Sequence, residues 1–274
     1  MKKKSIIYLI GFVFFLVVIT VSAAFMTRDT IVKGNAAETL DDIAKEVNDV
    51  DDVEMTESNS ITTSTAPYGS FGITVPEKNL DWNELHKENE DIYAWITVTD
   101  TTIDYPVLQH PMDNAYYLNH NLDGSKGFPG VIYTENYNSK DFSDPHTVVY
   151  GHNLKAKTMF SSLHNYEKDS VFNKDQYIYI YTEDNVLVYK IFAAYEFNAN
   201  HLLLNYDFTN EYVYEQYIKD IYNVASKGYG VAKIKPDIEV TKEDKIITLS
   251  TCTSDHDDNQ RYLVVGVLME PEGE

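Results

Sequence analysis

Cysteine is nearly absent: Cys252 is the only one in 274 residues. No disulfide can form within the chain, so stability rests on an ordinary hydrophobic core. Positive charge is scarce too. Lys and Arg number 22 against 43 Asp and Glu, for a net charge of −21. Without clustered cations to neutralise phosphates, nucleic acid is excluded as a partner. Histidine and cysteine nowhere fall at metal-ligand spacing, so no metal or other cofactor is expected. No internal repeat is present.

Long apolar runs are also rare, and the single example decides where the chain works. Lys2, Lys3 and Lys4 precede residues 6–26, which carry no charge. At 1.5 Å per residue that run forms an ~31 Å helix, the thickness of a bilayer core. The lysines stay on the cytoplasmic side, which places the remainder outside. A cleavable signal peptide competes, since Val21-Ser22-Ala23 resembles a cleavage site. The run exceeds the ~7–15-residue core of such peptides, and this favours an uncleaved anchor over residues 1–28. Residues 36–58 then hold nine acidic side chains against one lysine and lead into SNSITTSTAPYGS. Residues 29–74 therefore read as an acidic stalk, with Leu40, Ile43, Ala44 and Val47 at the spacing of a weak amphipathic helix.

The folded domain is expected over residues 75–274. A short helix around Leu80 and Leu85 precedes a strand at 92–98, and further β-branched and aromatic runs follow at 101–109, 130–135, 146–152, 176–197 and on both sides of Cys252. Glu183 to Asn185 mark a hairpin turn. The helical interruption spans residues 209–228, with Tyr214, Tyr217, Ile218, Ile221 and Tyr222 on one face, Thr209 as N-cap and Gly228 as stop. Many short strands and few helices predict a mainly β fold, a closed or nearly closed barrel with helical insertions.

A lone exported thiol raises the question of nucleophilic chemistry. Attack by a thiolate needs a base or cation nearby and donors for a developing oxyanion. Arg261 opens the run RYLVVGVL, reached from Cys252 through a polar loop; if the two flanking strands are antiparallel neighbours, Cys252 and Arg261 meet. Among eight histidines, His152 stands out, because TVVYGHN puts it at the end of an apolar strand before a polar turn. His86, His164 and His201 read as surface residues, and His256 lies in the acidic loop SDHDDN. A structural cysteine inside a β-barrel binding module is the competing reading. A papain-like peptidase is disfavoured, because there the cysteine precedes the histidine in the chain.

TLSTC at 248–252 followed by Arg261, with YGHN upstream and an N-terminal anchor, resembles the sortases, the cysteine transpeptidases of Gram-positive surfaces. IDYPVLQ (103–109), YYLNHNLDGSKG (116–127), YGHNLKAKTMFSSLHNY (150–166) and the long helix before the cysteine strand resemble their class B branch. The resemblance spans residues 91–268. It implies an eight-stranded sortase β-barrel with an N-terminal helix, and a catalytic trio of Cys252, His152 and Arg261. It also implies substrate contacts at Ser250, with Thr251 beside it. The reaction implied is cleavage of a C-terminal sorting motif in a secreted protein, followed by transfer through a thioester to an amine of peptidoglycan precursor or a pilin lysine. Two departures, Thr134-Glu135 in place of an apolar-acidic pair and Ser254 where some members carry an acid, leave the trio intact and bear on substrate detail.

Overall fold

The computed structural model describes residues 42–44, 68, 71–228, 230–255, 257 and 259–270. The expected anchor, most of the stalk and His256 lie outside the described residues. Within them, 42–44 form a helical turn whose Ile43 and Ala44 pack against the main core. Tyr68 and Ile73 are buried in that core as well, upstream of Val75.

Among the described residues, nine strands follow in chain order: β1 (Ile92–Val98), β2 (Asp104–Leu108), β3 (Ile132–Thr134), β4 (His146–Tyr150), β5 (Tyr177–Tyr181), β6 (Val186–Asn198), β7 (Ala232–Ile234), β8 (Ile246–Cys252) and β9 (Gln260–Leu268). Their order is β5-β1-β2-β3-β4-β8-β9-β6-β7, with an added β5–β6 pairing. Eight strands thus close on themselves, and β7 hangs on the outside. Closure works because β6 is 13 residues long. Its first half pairs with β5 from Val186 to Lys190, and its second half pairs with β7 from Ala193 to Tyr195 on that same edge. The barrel is mixed, since β2–β3 and β4–β8 run parallel. The β5–β6 hairpin turns at 182–185 as expected, with Asn185 O accepting from Thr182 N at 2.9 Å.

Strand alternation sorts side chains into two cores. Ile247, Leu249, Val149, Tyr262 and Val264 point into the barrel, alongside Trp95 and Tyr189. Ile246, Val148, Leu263, Val265 and Tyr195 point outward and are covered by α4 (Glu211–Tyr222) through Tyr214, Tyr217, Ile218 and Ile221. Tyr222, expected on that face, is half-buried at its edge. Besides the turn at 42–44, the described residues hold three shorter helices, α1 (Trp82–Glu88), α2 (Asp169–Phe172) and α3 (Leu202–Asn205).

The N-cap of α4 is Asn210, a correction to Thr209. Asn210's side chain accepts from Tyr212 N and Val213 N, whereas Thr209 Oγ1 donates to Asp207. Such a cap contributes about 1 kcal/mol. The α-helix ends at Tyr222, and a 3-10 turn (Val224–Lys227) carries the chain to Gly228, whose φ of +74° suits the stop expected there.

Candidate active site

The outer face of β4–β8–β9 is helix-covered at one end and open at the other. At the open end, β8 finishes on Cys252, and β9 pairs with it antiparallel so that Cys252 stands directly opposite Arg261. Cα atoms of such partners lie about 4.5–5.5 Å apart. Alternation puts both side chains on the outer face together with Ser250, while Thr251 turns inward and is 2% exposed.

His152 reaches the same end by the parallel strand. β4 pairs with β8 as far as Tyr150 and Ser250, and Gly151 N extends the ladder by donating to Ser250 O at 3.1 Å. His152 and Cys252 are each two residues beyond the last pair. The glycine between has no room for a side chain: a Cβ at Gly151 would meet Ile132 Cδ1 at 2.5 Å and the Phe160 ring at 2.7 Å. His152's own carbonyl accepts from Phe160 N at 3.0 Å, which folds the chain back into the 3-10 helix Phe160–Glu167.

The imidazole of His152 is half-buried. Its Nε2 donates to Leu118 O at 2.8 Å, and the Phe128 ring covers it at 4.7 Å between centroids. Burial holds its pKa below the ordinary 6.5, and the Leu118 hydrogen bond opposes that shift. With Nε2 committed, Nδ1 is the nitrogen left to exchange a proton. Arg261 is half-buried and donates from Nη1 to Gln260 O at 2.7 Å. Its charge is felt at Tyr133. Burial pushes that phenol well above its ordinary value, Glu135 adds to the rise, and Arg261 opposes it.

Two histidines read as surface residues turn out to be engaged near this end. His164 sits with Nε2 3.0 Å from Cys252 O and Nδ1 2.6 Å from Glu167. His201 caps α3 and lies 2.8 Å from the Glu135 carboxylate, which also accepts from Tyr150 OH at 3.3 Å. Neither contact is visible in the sequence, because each partner is more than sixty residues away. His86 faces Ile92 O at 3.0 Å and has no part in the site. Among the described residues, no group of three His, Cys, Asp or Glu side chains is placed to hold a metal ion.

A half-buried thiol opposite an arginine, with a histidine at the exit of the adjoining parallel strand, is an arrangement suited to nucleophilic cysteine chemistry. Comparison with known proteins carries this further. The sortase domain matches residues 96–269. Sortase B of Listeria monocytogenes is 35% identical over 188 residues, covering 68% of this chain and 73% of that protein. The crystal structure of Clostridium perfringens sortase B is 33% identical, with a TM-score of 0.60, covering 69% of this chain and all of that one. A Staphylococcus aureus sortase B–substrate complex is 29% identical with a TM-score of 0.57, covering 69% of this chain and 84% of that one. The chain belongs to the sortase family, class B. It is a cysteine transpeptidase, and this retires the reading of the barrel as a binding module.

Proposed function

We propose that Cys252, His152 and Arg261 are the catalytic residues, and that the enzyme cuts a C-terminal sorting motif of secreted proteins and joins the new terminus to an amine at the cell surface. The observation that carries this is the register of three adjacent strands. Cys252 and Arg261 are paired, and His152 leaves the parallel strand at the same level. In the first half-reaction the Cys252 thiolate adds to the carbonyl carbon of the motif's Thr–Gly or Thr–Asn bond. Arg261, a fixed fork of donors with a permanent charge, stabilises the oxyanion or holds the substrate backbone. His152 gives its proton to the departing amine, leaving a thioester on Cys252. In the second, His152 takes a proton from the incoming amine as it displaces the thiol.

The acceptor is an amino group of peptidoglycan precursor or a pilin lysine. A Streptococcus pyogenes class B sortase of the same fold, 29% identical with a TM-score of 0.57, is involved in pilus biogenesis, and both acceptor classes therefore belong in the assay. Ser250, on Cys252's face, contacts the bound motif. Residues 1–28 anchor the enzyme in the cell membrane with the folded domain outside, and within the acidic stalk between them Ile43, Ala44, Tyr68 and Ile73 pack back onto the domain's core. The full chain, incubated with sorting-motif peptides and each amine, is followed by intact-protein mass spectrometry. An acyl adduct on Cys252 that passes to one amine, and is missing in Cys252→Ala, is the expected result. Absence of any adduct across the peptide set sinks the reading.

A further inference from the structure

Behind the thiol lies a group of side chains that the proposed chemistry leaves unused. The carbonyl of Cys252 is the last on β8, and two side chains converge on it. His164 Nε2 is 3.0 Å away and Asn153 Nδ2 is 3.4 Å away, the latter also 3.1 Å from Thr253 O. A carbonyl oxygen can only accept, so Asn153 Nδ2 donates to it, and His164 Nε2 donates to it in the form that carries a proton there; Asn153 Nδ2 also lies 3.1 Å from His164 Nε2, so the two side chains hold each other as well as the carbonyl. The far nitrogen of the imidazole is secured as well. Nδ1 lies 2.6 Å from Glu167 Oε1 and 2.9 Å from Ser254 Oγ, and Ser254 donates to that same carboxylate oxygen at 2.7 Å. The Tyr262 ring lies stacked against the imidazole, 4.7 Å away at 27°. His164's side chain is 14% exposed and Glu167's 28%, so the ring has little room to turn.

Position is what this arrangement controls. The ladder with β9 fixes Cys252 from its N-terminal side, but the strand ends there and the chain leaves as a polar loop. Holding the Cys252 oxygen fixes the peptide plane between Cys252 and Thr253, and with it Cα from the other side. The Cα–Cβ bond that carries the thiol then has one direction. Asn153 immediately follows His152, so its contacts also tie the exit of β4 to the exit of β8 and set the spacing between imidazole and sulfur.

We propose that His164, held by Glu167 and Ser254, and Asn153 are positioning residues that clamp the Cys252 carbonyl and so aim the thiol at the attacked carbonyl carbon. The inference rests on the reading of Cys252 as nucleophile and His152 as proton carrier. Reacting groups misplaced by about 1 Å lose rate by about a hundredfold, so the clamp should be felt in kcat rather than in KM.

The test uses the full chain and the peptide-to-amine assay. His164→Leu is expected to lower kcat by about 10- to 100-fold with KM within about twofold and cooperative thermal unfolding retained. His164→Gln, whose amide nitrogen can stand where Nε2 does, should recover most of the loss. Asn153→Ala should cost several-fold, non-additively with His164→Leu, since both act on one carbonyl. A His164→Leu kcat within about twofold of wild type, or a His164→Gln enzyme as slow as the leucine variant, overturns the proposal. If His164→Leu does not fold, an unchanged kcat in Asn153→Ala overturns it equally. The lone cysteine supplies a readout that needs no substrate: carbonyl-13C cysteine labels one position in the chain. Its resonance should move upfield in His164→Leu and return in His164→Gln. A resonance that stays put defeats the clamp even if wild type transfers peptide, and one that moves supports the clamp even if wild type does not.

Discussion

His146 and His152 stand at opposite ends of one strand's outer face, and they have been put to opposite uses. His146 opens β4 and is 1% exposed, its Nε2 2.7 Å from Thr248 Oγ1, with Phe208 and Tyr217 packed on its ring. Burial alone pushes its pKa down to about 3. His152, just past the other end of β4, keeps part of its ring in solvent, and the same physical cause lowers its pKa less because Leu118 O favours the proton. One end is sealed by α4 and the chain around Phe208, and its histidine behaves as a neutral polar wedge. The other ends on a glycine with no room for a Cβ and opens beside a thiol and a guanidinium. The residue type is therefore a poor guide to chemistry, and the degree of enclosure a better one.

The comparison is broken most severely at the open end. His152→Ala is expected to lower transfer by about 10²–10⁴-fold, the range for loss of a general acid–base group, with little change in Tm. Arg261→Ala should follow at about 10²–10³-fold, as for a removed oxyanion donor. Arg261→Lys should restore only part of this, since an ammonium lacks the planar fork. Both are read from kcat/KM with a saturating amine. An Arg261→Ala enzyme of wild-type rate would remove the guanidinium from the mechanism.

At the sealed end the effect should appear in stability. His146→Leu leaves Thr248's hydroxyl without its ring partner and should cost about 1–3 kcal/mol, while kcat/KM stays within about twofold of wild type. Its pH signature is distinct. His146 titrates near 6.5 when unfolded and at about 3 when folded, so between these values the unfolded chain binds the extra proton. The stability that neutral His146 permits is complete above pH 6.5 and is lost as pH falls toward 3. Wild-type Tm should therefore fall more steeply across that window than the Tm of His146→Leu. Parallel curves would mean that His146 is not excluded from water.

Much of this contrast was legible in the sequence. β-branched and aromatic runs marked the strands, since that composition suits a pleated surface packed on both sides. The strand–loop–strand around Cys252 placed Arg261 opposite it, because a hairpin-like return leaves few registers. Closure of the barrel was harder to read: it depends on β6 serving two partners along one edge, and β7, three half-buried residues, carries no periodicity. His164 was misjudged for a related reason. It lies in a 3-10 helix, Phe160–Glu167, whose spacing produces no clean apolar stripe. Its partner Cys252 is 88 residues away. Local pattern records which face a residue occupies and is silent about what another part of the chain brings to that face.

The smallest expected effect tests the physical cause of the contrast itself. If enclosure lowers the pKa of His152, partial unroofing should raise it. Phe128 is the accessible lever, a ring 41% exposed that covers the imidazole. Phe128→Ala admits water to the ring face while the Leu118 hydrogen bond, which favours the charged form, remains. The His152 pKa, followed by its C2–H resonance against pH, should then move up toward its ordinary value, because the burial that lowers it is relieved while the Leu118 hydrogen bond that raises it remains. The alkaline limb of the transfer rate should move the same way, because the protonated acid persists to higher pH. A pKa that is unchanged or lower would mean that Phe128 does not keep water from the ring, and the difference between the two histidines would then need a cause other than burial.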